Sequence, residues 1–113
     1  MTSLHRRPSG PGRYDRSSHG EWIEDRGLVV QLFANDGEDD HQRFVVRLAT
    51  GQTLLIAHNL ELAARIPLGI GDRVSFRGVY EWNGRGGAVH WTHHDPHGGD
   101  EAGFVRLRDT VYA

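Results

Sequence analysis

The chain has 113 residues, enough for one domain and little more, with 37% hydrophobic residues, 25% charged residues and 15 glycines. It contains no cysteine, which excludes disulfide frameworks, thiolate nucleophiles and cysteine-ligated metal sites. All 13 basic residues are arginine against 15 acidic ones, so the formal net charge is -2, and neither Schiff-base chemistry nor a P-loop lysine is available.

Residues 1–18 stand apart. They hold four arginines against one aspartate, with Pro8, Gly10, Pro11 and Gly12 and almost nothing apolar. Such a stretch cannot bury enough surface to offset its ordering entropy, so a disordered basic tail is expected, followed by one domain over 19–113. Arg6 and Arg7 have no apolar segment after them, as a twin-arginine export signal would require. The apolar runs are too short to cross a membrane as helices, and a cytoplasmic protein is the expectation.

From Glu21 onward the pattern is that of strands. Leu28 to Phe33 is a β-branched and aliphatic run closed by the turn-prone Asn35 to Asp40. Phe44, Val46 and Leu48 then alternate with Arg43, Val45 and Arg47, the period-2 signature of a half-buried strand. After the turn at Thr50-Gly51-Gln52, Thr53 to Ala57 forms a third strand. Asn59 as N-cap, Ala63 and Ala64 as helix formers and Pro67 as terminator predict one short helix. Arg73 to Trp82, bent at Gly78, is the fourth strand, and Ala88 to His93 the fifth. Gly103 to Leu107 can pair along an edge or close the barrel mouth.

Three strands, a short helix and two strands is the order of the oligonucleotide/oligosaccharide-binding (OB) barrel. The fold expectation is therefore all-β: a small five-stranded OB-like Greek-key barrel with one short helix between strands 3 and 4. An SH3-type barrel is the nearest competitor.

His41-Gln42-Arg43-Phe44, Leu54 to Asn59, Gly71-Asp72-Arg73-Val74, Tyr80-Glu81-Trp82-Asn83 with Gly86-Gly87, and His90 to Pro96 occur in this order. Together they resemble a bacterial family of small proteins of unknown function, over roughly residues 20–97. The resemblance supports the barrel and implies no mechanism. His97 to Asp100 and Phe104 stand where the family pattern leads one to expect another histidine and a tryptophan.

There are 8 histidines, five of them at His58, His90, His93, His94 and His97. If the fifth strand persists, His93 and Asp95 share one face while His90 and His94 share the other; a bulge near Thr92 would reverse this. His93 and Asp95 with His58 or Glu81 would suit a divalent metal such as zinc, with an open position for water. A metal-dependent hydrolase of phosphodiesterase type is then one reading. In the other, the histidines bond loop backbone and stack with Trp91 and Trp82.

Trp82, beside the glycine loop, is expected to be exposed, whereas Tyr80 and Trp91 are expected in the core. Arg43, Arg47, Arg73 and Arg77 alternate along strands 2 and 4 and would form a positive stripe if their faces coincide. Residues 19–113 carry nine arginines against fourteen acids, which weighs against sequence-independent nucleic-acid binding. The leading expectation is a binding module with a ligand site of His58, Asn59, Glu81, Trp82, His90, His94, Arg43 and Arg77. Single-stranded nucleic acid or a small polyanion is its partner by fold analogy. A structural or adaptor domain is the third reading.

Overall fold

The computed structural model describes residues 12–34 and 40–113. Seven strands run in chain order: β1 (Trp22–Leu32), β2 (His41–Leu48), β3 (Thr53–Asn59), β4 (Arg73–Glu81), β5 (Ala88–His90), β6 (Phe104–Leu107) and β7 (Thr110–Tyr112). β1 lies beside β2, β2 beside β3, β3 beside β5 and β5 beside β4, and β4 returns to pair with β1. The result is a closed five-stranded barrel in the OB-like order. Among the described residues only β3 and β5 run parallel, through Leu55 opposite Ala88 and Ile56 opposite Val89. The β6–β7 hairpin extends the sheet outward from β4.

Closure depends on the length of β1. Its first seven residues pair with β4, and from Gly27 onward it pairs with β2, with the register slipping between Val29 and Gln31. One strand thus belongs to both halves of the barrel, and the bulge supplies the local twist that lets it turn the corner. The predicted alternation holds along β2 and β4. Phe44, Val46, Val74, Phe76 and Tyr80 point inward and join Val29, Leu54, Ile56, Val89 and Val105 in one core.

No helix follows β3. The chain makes one turn, in which Ala63 donates to the carbonyl of Asn59 and the Asn59 side chain caps the Glu61 N–H. The groups that would extend it are taken by buried side chains. Gln42 donates to the Ile66 carbonyl and accepts from the Ile66 N–H, both at 2.8 Å, and His58 binds the Ala64 carbonyl. A favourable cap and two alanines are outcompeted because tertiary hydrogen bonds already satisfy the backbone.

The tail expected over 1–18 lies outside the described residues as far as residue 11, as does most of the turn expected over Asn35 to Asp40. From Gly12 the chain packs on the barrel. Tyr14 is buried, and its hydroxyl donates to Asp25 at 2.7 Å. Burial and that carboxylate push the hydroxyl pKa up. Gln52 clasps the Tyr14 backbone at both N–H and carbonyl, and a 3-10 turn over Arg16–Ser18 leads into β1. Among the described residues no helix is long and apolar enough to cross a membrane.

Candidate functional site

The expected histidine site depended on β5 reaching His93. β5 ends instead at His90, because Trp91 takes a left-handed backbone conformation at φ 63 that takes the chain out of the ladder. The alternation assumed for residues 90–95 is therefore lost, and the four side chains go separate ways. His90 faces outward, its Nε2 in close contact with the Glu81 carboxylate, both side chains about half exposed. His93 is buried, donates from Nδ1 to the His94 carbonyl at 2.7 Å and stacks on Trp91. Exposed His94 meets His93 edge-on at 6.2 Å. Asp95 turns away to accept from the N–H groups of His97 and Gly99, closing its own loop.

His58 is sealed inside the barrel. Its Nε2 lies 3.1 Å from the Ala64 carbonyl, which can only accept, so that nitrogen carries the proton. Nδ1 then accepts from the Thr92 hydroxyl at 2.8 Å. Burial lowers its pKa from 6.5 to about 4, despite the opposing bond to Ala64, with His93 and His41 adding repulsion. Both ring nitrogens serve the fold. Among the described residues no group of three or more histidine, aspartate or glutamate side chains is placed to hold a metal ion. The expected set of His93, Asp95 and His58 is not brought together.

The remaining expected ligand residues also scatter. Asn59 caps the turn after β3, and Arg43 is half-buried on β2 opposite Ala57. Trp82 is exposed as expected, with the Arg16 guanidinium 4.3 Å above its ring and its backbone N–H donating to Nδ1 of His19. Tyr80 is core, whereas Trp91, expected there too, is 39% exposed. Arg77 reaches over Trp22 at 4.6 Å, anchored by Glu101 and the Ala102 carbonyl. Trp22 in turn meets Trp91 edge-on at 6.2 Å.

A different set does converge. On the outer face of the sheet, register aligns Arg47 of β2, Leu28 of β1 and Arg73 of β4 in one row. Arg26 of β1, Ser75 of β4 and Arg106 of β6 form the next. The inward partners of these rows, Leu48 and Val74, belong to the core, so alternation sends the arginines outward. With Arg108 from the β6–β7 turn they line a groove of about 830 Å³. No acidic residue lines it, and none of the five guanidiniums has an ion-pair partner among the described residues.

Arg47 and Arg73 of the expected stripe thus meet, while Arg43 and Arg77 lie outside the groove. Arg26, Arg106 and Arg108 were not anticipated. The outward parity of Arg26 against Ile23 and Val29 was a usable signal; the pairing of β6 onto β4 was not visible in the sequence. Arg108 and Trp91 are the two non-glycine residues with positive φ among those described. At Arg108 the two-residue β6–β7 turn requires it, and at Trp91 it marks the end of β5.

A protein-family model described as "Protein of unknown function (DUF3465)" matches residues 13–113, and the chain belongs to that family. The match takes in the packed segment before β1 and the β6–β7 hairpin, beyond the 20–97 span of the motifs. No curated protein matches the chain.

Proposed function

For this member of a family without an assigned activity, we propose a binding module that holds a phosphate-bearing polyanion, such as a single-stranded nucleic acid, in the arginine groove. The observation that carries this reading is the gathering of Arg26, Arg47, Arg73, Arg106 and Arg108 around one concavity without an acidic liner. Like charges so close repel, and the arrangement gains stability when an anion enters. Arginine suits the task because its planar fork binds phosphate oxygens in pairs and is less strongly hydrated than an ammonium. Asp25, Asp72 and Asp109 adjoin groove arginines along the chain but do not line the groove, and acids more than about 10 Å away are largely screened at moderate salt.

Isothermal titration of the full chain with inorganic polyphosphate provides the test. Binding is expected at low salt and should weaken steeply by 200 mM salt, because each phosphate contact releases counterions. Replacing Arg47 and Arg73 together by serine should abolish most of it while leaving the thermal midpoint close to that of the parent, as both side chains are exposed. Absence of binding at low salt, or full binding by the double variant, refutes the proposal.

A further inference from the structure

Beside the groove, on the same outer face, lies an aromatic shelf. Along β1 the outward side chains are Trp22, Glu24, Arg26 and Leu28; along β4 they are Val79, Arg77, Ser75 and Arg73. One end of this ladder carries Trp22 with Trp91 and His93, and the other carries the arginines. From Trp22 to Arg26 is four strand residues, about 13 Å. That equals the rise of roughly four stacked nucleotides. Glu24, the acidic side chain between them on β1, stands opposite Arg77 in register.

The shelf is built to keep an indole exposed. Trp91 is stacked on His93 with ring centroids 5.3 Å apart and an interplanar angle of 22°. Its left-handed backbone is held on the following side by Thr92, fully buried and bonded to His58, and the loop beyond is closed by the Gly103 N–H on the His93 carbonyl. A Cβ on Gly103 would collide with the backbone oxygens of Trp91 and Arg77, so the loop return requires glycine. In spite of this support Trp91 remains 39% exposed. A large aromatic ring fixed in an uncommon backbone conformation and left open to water is a ready stacking partner for another planar ring, and it loses little entropy on binding.

We infer that Trp91, at the open edge of the shelf, stacks a base of a single-stranded nucleic acid whose phosphates run into the arginine groove, while Trp22, capped by Arg77, braces it edge-on. The inference rests on the polyanion reading, and it adds what that reading lacks: a preference for a ligand with rings over one with phosphates alone. Base stacking on aromatic side chains tolerates any sequence, so recognition here distinguishes single strands from plain polyphosphate and not one base from another.

The test compares three probes on the full chain by fluorescence anisotropy at low salt: labelled twelve-residue oligothymidylate, an abasic strand of equal length, and inorganic polyphosphate as competitor. The parent protein should bind oligothymidylate about tenfold more tightly than the abasic strand, the scale of one stacked base. Trp91→Ala should erase that preference while leaving displacement by polyphosphate unchanged, and Trp91→Phe should restore most of it. Polyphosphate binding with no preference for bases, or a preference that survives Trp91→Ala, overturns the shelf and leaves the groove standing. Failure of all three probes to bind removes both.

Discussion

His58 offers a quantitative check on the interior that supports the shelf. The ring is neutral in the fold, donating to Ala64 and accepting from Thr92, and its pKa falls to about 4 against 6.5 for the free side chain. Above pH 6.5 neither folded nor unfolded chain protonates it, and its contribution to stability is complete. As pH falls toward 4 the unfolded chain takes up the proton and the native state does not, so stability declines with acid. The gap between the two values corresponds to about 3 kcal/mol, a large part of a small domain's total. His58→Gln keeps a neutral hydrogen-bonding side chain that cannot titrate. Urea unfolding of both proteins at pH 7.5, 5.5 and 4.0 cancels the titration of other groups. The parent's advantage should shrink by about 3 kcal/mol between the highest and lowest pH, most steeply below 6.5. An advantage constant over that range would show that the ring is not held neutral, and the assignment of its two hydrogen bonds would fail.

Two further substitutions separate packing from binding. Arg108, with φ 55, occupies the first position of the two-residue β6–β7 turn, where a mirror-type hairpin favours glycine. Arg108→Gly should raise stability by up to about 1 kcal/mol in thermal unfolding while weakening polyphosphate binding. A variant that gains stability without losing affinity would detach this residue from the groove. Gln42→Leu strands the buried Ile66 N–H and carbonyl at once and should cost about 2–4 kcal/mol in urea unfolding; a loss below 1 kcal/mol would mean the backbone finds other partners.

The barrel was legible because its strands are amphipathic on a period of two: Phe44, Val46, Val74 and Phe76 announce an inner face without any knowledge of their neighbours. The short helix does not form because Asn59, Ala63 and Ala64 carry local preference only, while it is overruled by tertiary bonds from Gln42 on β2 and from the inward-turned His58 at the end of β3. The same holds for the segment from Gly12, whose single apolar residue of weight, Tyr14, is clasped by Gln52 from the β2–β3 turn. The site was harder still. One backbone torsion at Trp91 dissolved the histidine cluster, and nothing in residues 88–95 signals it. The arginine groove draws on β1, β2, β4 and the β6–β7 hairpin, and its assembly follows from strand registers that no motif encodes. Net charge argued against it because summation over a chain conceals where the charges lie.

That every cation in the groove is a guanidinium sets how its occupancy can be controlled. A guanidinium keeps its proton at any physiological acidity, so a cargo held there is not shed by acidification. Enzymes that acetylate lysine find no target in this chain. Release of an anion bound there would be left to ionic strength or to a competing anion.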